Sequence, residues 1–352
     1  MKRILPGLFV VLIVLTACAA SGGSSGEPPG STSPPASGGS SGEPDGIDHP
    51  TGSEAILVVD SSGGFVPVQF MATRLPTFVL LGDGRVIMQG AQTLEFPGPA
   101  LPALIERTLT EEGIQAILQG VEDTNLFTAD LELNGAQSVV ADAANTLFIL
   151  NAGGQEVTVS IYGLGALLPD MEAPQGISSA EIEAHRILGQ LNDGLMTLDT
   201  WLPADAWEAE GWQPYQPEAF RLYVRDVTGE PVEGGDLPEQ VREWPTDDDP
   251  AAFGEEETFF GDGTRCGMVD GELGATWLEE LAAANQMTLW TDDGDRRFSI
   301  MARPVLPYED PACPDSREAP EPPPESRGRP SMRVAPRRRP SLQWAPCRRQ
   351  PA

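Results

Sequence analysis

The sequence predicts an α+β fold with mainly antiparallel sheet, built from hairpins that alternate with single helices. Three observations carry this. Pairs of apolar, β-branched segments meet at Gly-rich or Asp-Gly turns, several other stretches repeat apolar residues at helical spacing, and no regular βαβ spacing runs through the chain. With 352 residues and 40% hydrophobic side chains, there is enough chain to bury a core without metal or dense crosslinking.

In chain order, the body starts at Glu54, where runs of apolar residues replace a Ser/Gly/Pro-rich stretch. Ala55 to Val59 reads as a strand. Phe65 to Met71 reads as a second, and Pro67, which cannot donate to a ladder, makes it an edge strand. Thr77 to Met88 folds as a hairpin around Gly82-Asp83-Gly84, residues that tolerate positive φ. Thr110 suits the N-cap of a helix whose Glu111 and Glu112 favour its positive end and whose Ile114, Ile117, Leu118 and Val121 share one face. A second hairpin spans Thr146 to Tyr162 around Gly153-Gly154. Ser178 and Glu181 form a capping-box pattern ahead of a stripe of Ala184, Ile187, Leu188, Leu191 and Leu195, with His185 on its flank. Phe220 to Val227 is one more strand. A third helix runs from about Gly274 to Asn285 with Trp277, Leu278 and Leu281 inward, and Met287 to Ala302 closes the body as a hairpin around Asp293-Gly294. Residues 54–313 thus form either one unit or two lobes, 54–200 and 201–313, meeting near Trp201.

Charge narrows the partners. Of the 22 basic residues only eleven, all Arg, lie between positions 18 and 313, against 49 of the 53 acidic ones. Such a body repels phosphate backbones and anionic head groups, which excludes nucleic acid as a partner.

The N-terminus gives the sharpest functional signal. Met1-Lys2-Arg3 is a positive n-region, and Leu8 to Leu15 is an apolar run too short to span a hydrocarbon core of ~30 Å. Leu15-Thr16-Ala17-Cys18 resembles the lipobox of bacterial lipoproteins. The resemblance implies that 1–17 is a removed signal peptide, that Cys18 becomes the first mature residue, and that its thiol carries acyl chains that anchor the protein to the extracytoplasmic face of the cell membrane. The alternative is an ordinary secretory signal or membrane anchor in which Cys18 has no such role. Residues 18–53 read as a tether, because the octapeptide SGGSSGEP occurs at 21–28 and again at 37–44 and builds no core. A flexible chain of this length reaches ~30 Å. The two G-x-S-x-G matches inside it, at Ser24 and Ser40, lack the strand and helix a nucleophile elbow needs. Several phrases of the body resemble an uncharacterised group of exported proteins from GC-rich bacteria: HPTG at His49, PTFVLLGDGRVI from Pro76, FPGPALP from Phe96, RCG at Arg265 and AANQMTLW. That resemblance implies no activity.

Export places Cys266 and Cys313 where disulfides persist, and pairing them would pin the last hairpin to the loop before the third helix. Two reduced buried thiols are the alternative. A zinc site is disfavoured because no His or third Cys accompanies them. After Cys313 the chain turns into Pro, Arg and Ser, with Arg337 to Arg339 and Arg348-Arg349, and reads as a disordered tail over 314–352. So abrupt a change is also what an out-of-frame reading of GC-rich DNA produces.

Reaction chemistry is not legible. His49 lies in the tether and His185 on a helix flank, so no pair of histidines forms, and no nucleophile, base and orienter share a motif; neither catalytic residues nor a cofactor is assigned. The acidic runs Asp247 to Asp249, Glu255 to Glu257, Asp262 and Asp292 to Asp295 lack the spacing of a calcium loop, and no metal ligand set is assigned. Trp201, Trp207, Trp212 and Tyr215 punctuate one Pro-containing segment, either as a platform for a sugar or partner protein or as anchors that fold a long loop onto the core. The reading favoured is a membrane-anchored cell-envelope lipoprotein with a binding or structural role toward an envelope protein or polysaccharide. A carboxylate-dependent hydrolase of envelope polysaccharide and a calcium-dependent adhesion or sensor module are the alternatives.

Overall fold

The computed structural model describes residues 46–167, 174, 176–231 and 237–313; Cys18, the SGGSSGEP repeats and the Pro/Arg-rich tail lie outside them. The architecture is α+β, as the hairpin pattern predicts, with two mostly antiparallel sheets.

The first sheet takes up the chain to Pro214. It contains β1 (Ala55–Gly63), the short helix α1 (Val68–Thr73), the hairpin β2 (Phe78–Leu81) and β3 (Arg85–Gln89), β4 (Leu104–Thr108), α2 (Glu111–Glu122), β5 (Leu131–Leu133), the hairpin β6 (Ala144–Ala152) and β7 (Gln155–Tyr162), α3 (Ser179–Met196), α4 (Leu198–Trp201) and β8 (Gln213–Pro214). Its strand order is β5-β7-β6-β1-β2-β3-β4-β8, antiparallel except for β5 beside β7. Side chains alternate across it as a pleat requires. Leu57, Val59, Phe78, Leu80, Val86 and Met88 point to the face covered by α2 and α3, whereas Val58, Val79, Leu81 and Ile87 point to the other.

α2 starts where its cap predicts: Gly113 N–H donates to Thr110 Oγ1 at 3.2 Å. Its four large buried residues, Ile114, Ile117, Leu118 and Val121, contribute about 1.5–3 kcal/mol each, so packing outweighs a cap of ~1 kcal/mol. α3 also begins as predicted, with Glu181 N–H donating to Ser178 Oγ at 3.1 Å. The box is only half closed, because the Glu181 carboxylate accepts instead from Gly135 N–H in another element.

The second sheet is built from β9 (Phe220–Asp226), β10 (Val241–Glu243), β11 (Glu255–Glu256), β12 (Arg265–Val269), α5 (Gly271–Ala282), β13 (Leu289–Thr291) and β14 (Arg297–Pro304), in the order β10-β13-β14-β9-β12-β11. α5 covers one face. There Trp277 meets Trp244 at 5.0 Å and Trp290 at 5.2 Å between ring centroids, over Phe220, Leu222 and Phe298.

The chain after β14 joins the two sheets. Leu306 packs on Val58, Val79 and Leu81, closing the second face of the first sheet. Arg303, 7% exposed, donates from Nε to the Arg74 carbonyl at 2.9 Å and forms a two-pronged pair with Glu309 at 2.6 and 2.7 Å. The Glu309 carboxylate also accepts from Leu306 N–H at 2.9 Å.

Three expectations need correction. Phe65 to Met71 is no edge strand. β1 runs on to Gly63, where Gly63 and Gly64 adopt positive φ and turn the chain off the sheet, and Pro67 then occupies the N-cap of α1, whose residues are all at least partly exposed. Residues 47–53, expected to belong to a tether, are instead part of the fold. Ile47 N–H donates to Gln115 Oε1 at 2.8 Å, Gln115 Nε2 donates back to the Ile47 carbonyl at 3.0 Å, and Gly153 N–H donates to Asp48 O at 2.6 Å. His49 lies half-buried beside α2, its Nε2 3.2 Å from Glu111 Oε1. The changeover between sheets falls between Pro214 and Phe220, after the Trp-containing segment and not at Trp201.

Candidate functional site

Cys266 and Cys313 are joined, with Cα atoms 6.1 Å apart. Cys266 does not sit in a loop: it lies on β12, paired with Tyr223 of β9, so the bond ties the segment after β14 to a strand of the second sheet.

The four aromatics near the changeover do not share a surface. Trp201 lies in a slot between α2 and α3 that only glycines leave open: a Cβ on Gly120 would fall 2.6 Å from its ring, and one on Gly194 3.1 Å. Trp207 and Trp212 meet edge to face at 5.7 Å, with the Arg107 guanidinium 3.9 Å from the Trp207 ring centre. Asp199 organises this group, accepting from Arg107 Nη1 at 2.7 Å and from Trp212 Nε1 at 2.9 Å. Tyr215 packs with the cluster on the opposite face of the sheet, and burial pushes its hydroxyl up to about 12. These contacts favour the loop-anchoring alternative.

Several carboxylates of the acidic runs are engaged within the fold. Asp249 and Asp292 both accept from Arg296, and the Asp292 carboxylate also accepts from Gly294 N–H. Glu257 is buried and accepts from Phe259 N–H at 2.9 Å. Among the described residues no three His, Cys, Asp or Glu side chains converge as a metal site requires.

Two perturbed groups escape sequence reasoning. Burial holds the Asp60 carboxyl above its ordinary range, against the opposing pull of Ser61 N–H, Arg303 and Arg74. Burial lowers His185, partly offset by Glu181, and neither of its ring nitrogens has a hydrogen-bond partner among the described residues. Asp60, Arg74, Arg303 and Glu309 form the polar seam between the sheets, which sequence spacing cannot reveal because they come from β1, the loop before β2, β14 and the segment beyond it. None of them lines the cleft formed by α1 and the second sheet.

That cleft has a volume of about 730 Å³, within the range of small-molecule sites. It lies between α1 with the Phe96 loop on one side and the face of the second sheet opposite α5 on the other. The register explains its floor: Leu289 faces Ser299, Ser299 faces Arg225, and Met301 faces Tyr223, all pointing away from the Trp277 core. Phe70, Phe96 and Phe260 form walls. The cleft's charges are paired: Arg225 Nη1 reaches Glu230 at 2.9 Å and its Nε lies 3.7 Å from Asp262, while Arg297 reaches Glu239 at 2.7 Å. Asp262 additionally accepts from the Thr264 hydroxyl at 2.6 Å. Sequence reading missed this site because its lining residues run from Pro67 to Met301 with no motif among them; the nearest signal was the apolar Phe65 to Met71 run, which turns out to stay exposed. Among the described residues no helix is long and apolar enough to cross a membrane.

No family model, curated protein or solved structure matches this chain.

Proposed function

We propose that this protein is a binding lipoprotein of the cell envelope, held at the extracytoplasmic face of the membrane by acyl chains on Cys18, and that it takes its ligand in the cleft between α1 and the second sheet. The observation that carries the binding assignment is the cleft itself. It is concave, of ligand size, floored by a rigid sheet, and rimmed by large apolar side chains left in water: Phe70 is 55% exposed and Phe96 65%. Exposed apolar surface around a concavity marks an interaction site. The anchor rests on the apolar run and lipobox before Cys18, and an extracytoplasmic compartment accords with an oxidised Cys266–Cys313 pair.

A polysaccharide hydrolase would draw on Glu230 and Asp262, the carboxylates of the cleft. Both already face Arg225, and Asp262 also holds Thr264, so the binding reading is the stronger.

Two experiments test this. Metabolic labelling with a tagged fatty acid should mark the parent and not Cys18→Ser; equal labelling refutes the anchor. A photo-crosslinking amino acid at position 301, on the cleft floor, should capture a ligand in intact cells, whereas the same group at Glu132 on β5 should not. Absence of any adduct specific to position 301 refutes the cleft assignment.

A further inference from the structure

Building on the cleft assignment, we infer that its ligand is a single amphiphile: one hydrocarbon chain carrying an uncharged, hydroxylated head group. Four observations converge on this class. The first is wall chemistry. Met287, Leu289 and Met301 give the floor aliphatic and thioether surface, and among the described residues the rings that line the cleft are phenylalanines, which present apolar faces and edges without a hydrogen-bonding handle. Met side chains adapt to a flexible chain, whereas sugar-stacking sites favour rings that also hydrogen-bond.

The second is the mouth. Phe70 and Phe96 line the cleft yet are 55% and 65% exposed, and Phe65 (90%) and Leu94 (101%) are close to them in sequence. A chain entering the cleft would cover the exposed rings of Phe70 and Phe96. The third is charge. Both arginines of the lining already face carboxylates, so among the described residues the cleft presents no unengaged cation to a fatty-acid carboxylate or a phosphate. The surrounding body, with 49 acidic and eleven basic residues between positions 18 and 313, repels anions further. The fourth is polar supply: Gln69, Gln286 and Thr73 stand among the lining residues and suit hydroxyl groups by hydrogen bonding without demanding charge. Because the site is concave, the occupant is one molecule in the cleft and not the face of a bilayer.

The test titrates the full mature protein with 1-octanoyl-, 1-decanoyl- and 1-lauroylglycerol below their micelle concentrations, with sodium decanoate as the charged counterpart. Each two-carbon extension should tighten binding about fifteenfold, since ~0.8 kcal/mol accompanies each buried methylene. Decanoate should bind at least tenfold more weakly than 1-decanoylglycerol. Met301→Glu should weaken 1-decanoylglycerol at least tenfold and Phe70→Ser about threefold. Phe70 is exposed, so that variant should melt with the parent and show that lost binding is not lost folding. No saturable binding, no dependence on chain length, decanoate binding as tightly as the glyceride, or unchanged binding in both variants would each overturn the inference. So would bodily sedimentation of the unacylated Cys18→Ser protein with neutral phosphatidylcholine vesicles in place of extraction of the glyceride from them. If position 301 captures a peptide or glycan in cells, the cleft assignment stands and only the amphiphile falls. If it captures nothing, both fall.

Discussion

Opening the Cys266–Cys313 bond offers the most quantitative test of how the body holds together. The two residues are 47 apart in sequence, so the bond closes a loop that contains α5 and the hairpin of β13 and β14. In the chain-entropy description, closing such a loop removes about 14 cal/mol/K from the unfolded ensemble, or ~4 kcal/mol at 25 °C. Spread over the unfolding entropy of a body this size, at ~2.1 cal/mol/K per residue, the loss lowers Tm by roughly 7 °C. The perturbation is the paired variant Cys266→Ala with Cys313→Ala, compared with the parent by calorimetry with and without reductant. The parent in reductant and the variant should melt together, both below the oxidised parent. A parent whose thiols both alkylate without reductant would refute the pairing. A shift under ~2 °C would refute the loop-entropy argument even if the bond is present, and would mean that the unfolded chain is already constrained around β12.

Three further outcomes follow from buried polar groups. Glu309→Gln should destabilise the protein by about 3 kcal/mol in urea titration, because it leaves the buried Arg303 guanidinium without its counter-charge; a loss below ~1 kcal/mol would show that the seam is solvated. Asp60 has a raised folded pKa, so its contribution is greatest below the unfolded value of 3.8 and is lost as pH rises through the folded one. Asp60→Asn should therefore gain stability relative to the parent as pH rises from 3 to 7; a constant difference across that range would refute the raised value. His185 has a lowered folded pKa, so stability it supports above the unfolded value of 6.5 is lost as pH falls below it. His185→Leu should flatten that acid-side loss and raise stability at neutral pH by ~1 kcal/mol, since two buried ring nitrogens no longer lack partners; a less stable Leu variant would reveal a bond that the imidazole makes.

What the sequence discloses follows from where its information lies. Hairpins at Gly82-Asp83-Gly84, Gly153-Gly154 and Asp293-Gly294 are local, and each turn forms between the strands expected. The caps at Thr110 and Ser178 are equally local. The pairing of Cys266 with Cys313 was legible by compartment and elimination, but the strand that carries Cys266 was not, since RCGMV is short, contains Gly267 and owes its extended form to β9 alongside it. β8, β10 and β11 have two or three residues each and carry no periodicity to read. α1 was misread because Phe65 to Met71 is apolar without being buried, which breaks the link between hydrophobicity and core that pattern reading relies on. The cleft was illegible for the same reason and for a second one: its walls meet only when α1 is brought over the second sheet.

The point where the chain enters the folded body has a mechanical consequence. A pull applied upstream of Gly46 meets the paired bonds between Ile47 and Gln115 and the bond from Gly153 to Asp48 before it reaches β1. β1 is itself laced on both sides, to β2 and to β6 over seven consecutive residue pairs. Tension must therefore shear an interior strand from two neighbours together, where an edge strand would peel away bond by bond. Resistance to such loading is set by the unfolding rate, so a pull on the chain upstream of Gly46 would load β1 and its two neighbours before the rest of the first sheet.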